Sequence, residues 1–312
     1  MELQAGTKGV FATGAGTLTR RNLIKASAAT LAATALADLR ALADEQQTEG
    51  LKVRFLGTGA SDWSKPDPKR GYRRLTSALL DGRVLIDFTQ TAIDMLPVGC
   101  RPEAVFYTHS HGDHYRPHAA LAVGVKRVYC HASWAEDCRK EYEGTAARMK
   151  LEPPVVRGLQ FGERVDECGL AITSLPANHG FGHVGEHPSI YLVEKGPTRL
   201  IYATDTAGIP ADAARIAGID AHWSPGRPIT ALIMEATSGD PDDWRLFAHS
   251  SIATVAQIVR VLTATKRYVP RLPGQKVYLT HLARTLHGSH EEIAARAPAP
   301  LAPAYDGLEI VL

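Results

Sequence analysis

A dense cluster of metal-binding side-chain types occupies residues 108–114, which read Thr-His-Ser-His-Gly-Asp-His. Imidazole and carboxylate groups are good ligands for zinc, manganese and iron. His109 and His111 are separated by one residue, so in extended backbone both side chains point the same way and can hold one ion. The following glycine relaxes the backbone, which lets Asp113 and His114 turn toward a second ion. The alternative is a solvated, histidine-rich turn without a metal.

Three further candidate ligands lie just past apolar, β-branched runs of the kind that form strands. They are His179, Asp205 and His281. The His-rich cluster likewise follows the apolar run 104–107. Loops at strand ends are held by a rigid sheet, which can aim several side chains at one point. Any one of these residues alone would be better explained as a hydrogen-bonded loop side chain, but three at strand ends favour a metal site.

The elements that must position these side chains are mostly strands. Short apolar runs bounded by Gly, Asp or Pro predict strands at 53–56, 77–80, 84–86, 105–107, 128–129, 172–175, 189–193, 200–202, 231–234 and 277–279. Helical spacing of apolar residues predicts a helix over 252–262, with Ser250 and Ser251 as N-cap candidates, and a second helix covers 210–217. Many strands and few helices predict two sheets with helices outside.

Composition excludes several classes of protein. The chain has 312 residues, a net charge of +2, 45% apolar and 22% charged residues, values close to those of an ordinary globular protein. So small a charge gives no reason to expect a nucleic acid partner. The cysteines, 4 in number, are too few for a disulfide scaffold and form no C-x-x-C pair, so buried, inert thiols are expected.

The N-terminal segment has the composition of a targeting signal. Residues 19–25, Thr-Arg-Arg-Asn-Leu-Ile-Lys, resemble the twin-arginine export signal. The apolar run 26–37 that follows is shorter than the roughly 20 residues needed to span a bilayer, and two small-x-small cleavage sites come next. We therefore predict a signal peptide and linker at 1–48, a domain at 49–312, a periplasmic or secreted location and no stable membrane anchor. The alternative is an amphipathic surface helix that begins with two arginines.

The order H-x-H-x-D-H, then His, Asp and His, resembles that of the metallo-β-lactamase superfamily of dinuclear hydrolases. The resemblance implies an α/β fold, a four-layer αββα sandwich, and two divalent ions, with zinc expected first and manganese or iron as alternatives. It implies that one ion is held by His109, His111 and His179, the other by Asp113, His114 and His281, and that Asp205 bridges both.

Finer features resemble the branch of PhnP-type cyclic phosphodiesterases and tRNA 3′-processing endonucleases. These are the Leu-Gly-Thr-Gly-Ala-Ser loop at 56–61 and the segments 73–80 and 85–87. The branch implies that His249 assists the leaving group, and the catalytic candidates are therefore Asp113 and His249; the alternative for His249 is a neighbour of a helix cap. One departure is clear: residues 61–72 contain no cysteine, so the extra structural zinc of PhnP-type members has no ligands here.

The function expected from the sequence is an exported phosphodiesterase acting on small or cyclic phosphodiesters through a metal-bridging hydroxide. The alternatives are a lactonase or β-lactamase and a non-catalytic metal-dependent binding protein. Expected partners are an anionic small molecule and the twin-arginine export machinery, with a homodimer open beside a monomer. A basic loop could line the substrate's approach or simply be solvated; it contains Lys65, Lys69, Arg70, Arg73 and Arg74.

Overall fold

The computed structural model describes residues 50–63, 65–180, 185–220, 226–239 and 242–312. The predicted signal peptide at 1–48 lies outside the described residues, so the signal and the domain boundary stay predictions. No helix within the described ranges is long and apolar enough to cross a membrane.

Two seven-stranded sheets form the centre of the described chain. The strands of the first sheet are β1 (Lys52–Gly57), β2 (Ser77–Leu80), β3 (Val84–Ile86), β4 (Ala104–Phe106), β5 (Arg127–His131), β6 (Val155–Leu159) and β14 (Glu309–Val311). Those of the second are β7 (Arg164–Glu167), β8 (Leu170–Pro176), β9 (Ser189–Lys195), β10 (Thr198–Ala203), β11 (Ala231–Glu235), β12 (Val277–Thr280) and β13 (Leu301–Pro303). The spatial orders are β14-β1-β2-β3-β4-β5-β6 and β13-β12-β11-β10-β9-β8-β7.

Helices cover the outer face of each sheet. They are α1 (Pro117–Ala122), α2 (Ala135–Met149), α3 (Ala211–Ile216), α4 (Ile252–Ala264) and α5 (His290–Arg296). One apolar cluster lies between the sheets, with Phe55, Phe106 and Tyr202 among its members. A second joins α1 and α2 to the first sheet, and a third joins α3, α4 and α5 to the second. Three cores separating four layers make an αββα sandwich, and the predicted fold class is confirmed.

The strand predictions agree with the structure, and the missed elements have identifiable causes. Every predicted strand overlaps an observed one, and Ser251 caps α4 by accepting a hydrogen bond from the Thr254 N–H. Strand β7 was not predicted because it reads Arg-Val-Asp-Glu and so contains no apolar run, although its positions alternate between exposed and buried. Strand β13 lies in the Ala/Pro-rich segment 297–304, whose composition resembles that of a loop. Strands β6 and β14 and helices α1, α2 and α5 were also not predicted.

All four cysteines carry free thiols, as the absence of a disulfide scaffold predicts. Cys130 and Cys138 are buried. Cys100 and Cys168 are half-buried, and the expectation that every thiol is buried is wrong for these two. Cys168 lies in the turn between β7 and β8, and Cys100 lies in the irregular segment before β4.

A buried carboxylate at the end of β7 ties the two sheets together. Glu167 accepts hydrogen bonds from Arg127 Nε at 2.7 Å and from the Tyr129 hydroxyl at 2.8 Å. Burial alone would raise the pKa of Glu167, but the hydrogen bonds, that from Arg127 foremost, outweigh it and lower the pKa to about 2. A depressed carboxyl pKa adds stability that is present above the ordinary pKa and is lost as the pH falls toward the folded value.

We therefore expect Glu167→Gln to lower the free energy of unfolding by about 1–3 kcal/mol at neutral pH. The difference from wild type should shrink at pH 3, where the wild-type carboxylate begins to lose its advantage. Urea denaturation of both proteins at pH 7 and pH 3 measures this. A deficit that is as large at pH 3 as at pH 7 would contradict the ionic origin of the effect.

Candidate metal centre

The candidate ligands all lie where strands end. The cluster 109–114 follows β4, His179 follows β8, Asp205 follows β10 and His281 follows β12. Strands β10, β11 and β12 are parallel neighbours, so their carboxyl ends meet at one edge of the second sheet. The side chains that follow them are brought together there.

One group of donor atoms gathers three imidazoles and one carboxylate. His109 Nε2 lies 2.8 Å from His111 Nδ1, which in turn lies 3.3 Å from His179 Nε2. Asp205 Oδ2 lies 3.3 Å from His109 Nε2. All four ligand atoms lie within 4.8 Å of one another.

A second group shares Asp205 with the first. His114 Nε2 lies 2.7 Å from Asp205 Oδ2 and 3.2 Å from His281 Nε2. Asp113 Oδ2 lies 3.4 Å from each of these two imidazole nitrogens. The structure therefore brings together all the predicted ligands, with the Asp205 carboxylate between the two groups.

The donor set fits a dinuclear metal site. A tetrahedral zinc ion with bonds of about 2.0–2.1 Å places its ligand atoms about 3.3 Å apart. The distances above cluster around that value. Five imidazole nitrogens and two carboxylates converge here, and divalent cations would satisfy the lone pairs of all of them together. Nitrogen and oxygen donors without thiolate suit zinc, manganese or iron.

Buried partners orient the imidazoles that follow β4. Asp87 Oδ2 accepts a hydrogen bond from His114 Nδ1 at 2.8 Å, and its carboxylate also accepts from the Thr108 N–H and hydroxyl. Thr108 Oγ1 lies 3.0 Å from His109 Nδ1. Such partners fix the ring orientation and leave the opposite nitrogen free for a metal. Burial is the largest influence on Asp87 and raises the pKa of its carboxyl, against the lowering effect of His114.

The remaining imidazoles are oriented from the second sheet. Thr237 Oγ1 lies 2.7 Å from His281 Nδ1, and His179 Nδ1 donates to the Ala248 carbonyl at 3.1 Å. His179 and His281 therefore present Nε2 to the cluster, whereas His111 presents Nδ1.

Three residues of this centre have a strained backbone. Asp87, Asp205 and His281 have φ values of 53°, 49° and 52°, in the left-handed region that L-residues seldom adopt. Each such residue costs on the order of 1–3 kcal/mol and persists only where the surrounding structure enforces it. The surrounding structure therefore holds these three residues in place.

The pKa values of the imidazoles at this centre shift in different directions, whereas that of the Asp205 carboxyl is lowered. Burial lowers the pKa of His109 far below its ordinary value, and the neighbouring His114 adds to this. Burial also opposes the charged forms of His114 and His281, but the Asp205 charge outweighs it, raising the pKa of His114 strongly and that of His281 to about 10. In turn, the charges of His281 and His114 overcome burial and hold the pKa of Asp205 well below its usual range. The centre is built to keep this carboxylate ionised.

His249 lies beside the cluster and pairs with a residue that sequence reasoning missed. Its Nδ1 lies 3.0 Å from Oε1 of Glu235, the fully buried last residue of β11. Burial lowers the pKa of His249, but the Glu235 charge and hydrogen bond prevail and the pKa is raised. The only sequence signal for Glu235 was its place directly after the predicted strand 231–234.

An open cleft of about 260 Å³ exposes the cluster to solvent, with Asp113, Asp205 and His249 on its wall. Arg245 is the one cationic side chain of fixed charge among the described residues that line it.

The predicted basic loop does not line this cleft. Arg73 is buried and donates to Thr58 Oγ1 and the Ala304 carbonyl, while Arg70 donates to the His287 carbonyl. The arginines of this loop serve the packing of loops, and the expectation that it borders the substrate's approach is not supported.

Comparison with known proteins agrees with this geometry. The profile of the family described as "Beta-lactamase superfamily domain" matches residues 83–282. No curated protein matches the sequence of the chain.

Several solved structures share the fold. Zn(2+)-bound PqqB from Methylobacterium extorquens has a TM-score of 0.61 at 21% identity, over 84% of this chain and 100% of that one. The metallo-beta-lactamase fold protein YhfI from Bacillus subtilis has a TM-score of 0.59 at 15% identity, over 84% and 100%. Unliganded yeast PDE1 has a TM-score of 0.55 at 12% identity, over 84% and 99%. At these identities the likeness concerns the fold alone.

Proposed function

The chain belongs to the metallo-β-lactamase superfamily, and from that premise we propose that it is a dinuclear metal-dependent phosphodiesterase acting on small or cyclic phosphodiesters. The observation that carries the proposal is the pairing of His249 with Glu235 at the wall of the cleft. A protonated imidazole beside a metal cluster suits a reaction whose leaving group is a basic alkoxide.

The proposed ligand sets follow the two groups of donor atoms. One ion is assigned to His109, His111 and His179, the other to Asp113, His114 and His281, with Asp205 shared. Zinc is the first choice of metal, and manganese and iron suit the same donors. When bound, two such ions lower the pKa of a water molecule and neutralise charge on a phosphoryl group.

The chain's own residues supply binding and proton transfer. The Glu235 carboxylate holds His249 Nδ1, which leaves Nε2 to donate a proton to the departing oxygen. Asp113, whose side chain is 14% exposed, presents a carboxylate that orients the attacking water by accepting a hydrogen bond. The Arg245 guanidinium attracts the anionic substrate into the cleft.

A panel of substrates tests the reaction class. We expect bis-p-nitrophenyl phosphate to be hydrolysed with a kcat/KM at least about tenfold above that for a chromogenic cephalosporin or an aliphatic lactone, a preference worth about 1.4 kcal/mol in the transition state. A chelator-treated sample provides the control for metal dependence. Preferential turnover of the cephalosporin or the lactone would instead favour a hydrolase of cyclic amides or esters.

The location remains a proposal from the sequence. Residues 1–48, with their twin-arginine motif and short apolar run, support export of the folded protein to the periplasm or beyond.

A further inference from the structure

A buried carboxylate outside the ligand set holds the backbone between two proposed ligands. Glu186 is 2% exposed. Its Oε1 accepts a hydrogen bond from the Ser110 N–H at 2.6 Å, and its Oε2 accepts one from the Ser110 hydroxyl at 2.6 Å. Ser110 is the residue between His109 and His111.

This double hydrogen bond fixes Ser110 at two points, one on its main chain and one on its side chain. Successive side chains of extended backbone alternate in direction, so the orientation of Ser110 also sets those of His109 and His111. His109 Nε2 and His111 Nδ1 lie 2.8 Å apart, a convergence that a small rotation of the intervening residue would break.

The same segment also connects to the third proposed ligand of this group. The Ser189 N–H donates to the Thr108 carbonyl at 2.8 Å, directly before His109. The Ala177 N–H donates to the Pro188 carbonyl at 3.0 Å, two residues before His179. Residues 186–189 therefore join the two loops from which His109, His111 and His179 project.

The turn that delivers the carboxylate depends on a glycine. Gly185 has a φ of 78°, in the left-handed region, which a glycine adopts at little cost. On the other side of Glu186, the His187 N–H donates to Ser133 Oγ at 2.9 Å. The Gly185 turn on one side and the His187 hydrogen bond on the other thus fix the backbone of Glu186, whose carboxylate is bonded to Ser110.

We propose that Glu186 is a positioning residue for the metal-binding group of His109, His111 and His179. The inference rests on the metal centre of the proposed function. The other group takes Asp113 and His114 from the same loop, but His114 is oriented independently by Asp87, and His281 follows strand β12 of the second sheet. Loss of the Glu186 carboxylate therefore weakens one ion much more than the other.

The test compares metal retention in wild type, Glu186→Gln, Ser110→Ala and the matched control Glu167→Gln. Glu167 is also a buried, hydrogen-bonded carboxylate, but its partners are Arg127, Tyr129 and Cys168 instead of the metal loop. Each protein is loaded with zinc, titrated with a chelator and analysed for ions per chain. Cobalt-loaded samples are compared by visible absorption, which reports ligand geometry independently of activity.

We expect Glu186→Gln to weaken one ion by about 10–100-fold, the usual effect of removing a partner behind a metal ligand, and to leave the other within a few-fold of wild type. Ser110→Ala, which keeps the N–H donor, should show a smaller loss at the same ion, and only these two variants should change the cobalt spectrum. Two ions held as tightly as in wild type by both variants would overturn the inference, as would equal weakening of both ions. A wild-type protein that binds no zinc would instead overturn the proposed function on which the inference rests.

Discussion

Replacing Asp205 by asparagine is expected to lower kcat/KM for bis-p-nitrophenyl phosphate by at least about a thousandfold, because two ions contribute several kcal/mol of charge stabilisation to such a transition state. Asp205 Oδ2 is the one donor atom common to both groups, at 2.7 Å from His114 Nε2 and 3.3 Å from His109 Nε2. Asparagine keeps an oxygen at this position but removes the negative charge, so both ions lose their shared anionic ligand. Metal content per chain should fall together with activity.

The control for this variant is Asp166→Asn, the same chemical change on an exposed side chain of β7. It should leave metal content and kcat/KM unchanged. An Asp205→Asn protein that folds, keeps two ions and retains more than about a tenth of wild-type activity would contradict the role assigned to Asp205, since that loss is worth less than about 1.4 kcal/mol.

Replacing His249 by alanine should produce a loss that depends on the leaving group. A positioned general acid contributes about 10²–10⁴ to the rate, so phosphodiesters with alkoxide leaving groups should lose that factor. A p-nitrophenolate departs without protonation, and its diester should lose less than about tenfold. Steady-state kcat/KM measurements on a nitrophenyl diester and an alkyl diester, for wild type and variant, give the comparison.

The surface residue His118 on α1 provides a matched histidine-to-alanine control, which should behave as wild type on both substrates. Equal losses on the two diesters for His249→Ala would remove the acid role and leave His249 a residue that only shapes the cleft. Glu235→Gln should share the leaving-group dependence to a smaller extent, because it removes the charge that keeps His249 protonated.

The proposed ligands could be found from the sequence because their signal is local. The histidines of residues 109–114 are close in the chain, and the other candidates each follow a strand that alternation and turn residues reveal. The residues behind the ligands gave no such signal. Glu235 lies 14 positions from His249, and Glu186 lies 76 positions from Ser110, so their pairing depends on how loops and sheets pack.

The basic loop, whose role the sequence left open, shows a related limit. A run of positive residues indicates charge but not its partners. In the structure, Arg74 pairs with Asp94, which lies 20 residues away, and Arg70 with Asp67, three residues before it. Once paired, these side chains no longer offer a free positive surface to a substrate. The cationic side chain of fixed charge at the cleft is Arg245, which itself pairs with Asp243 at 2.9 Å.

The most direct test of the central claim is a crystal structure of the purified protein with anomalous diffraction collected at the absorption edges of zinc, manganese and iron. We predict two anomalous peaks about 3.5–4 Å apart, with the Asp205 carboxylate between them. One peak should lie against His109, His111 and His179, and the other against His114 and His281. A single peak, or none, or two peaks that Asp205 does not join, would contradict the dinuclear centre.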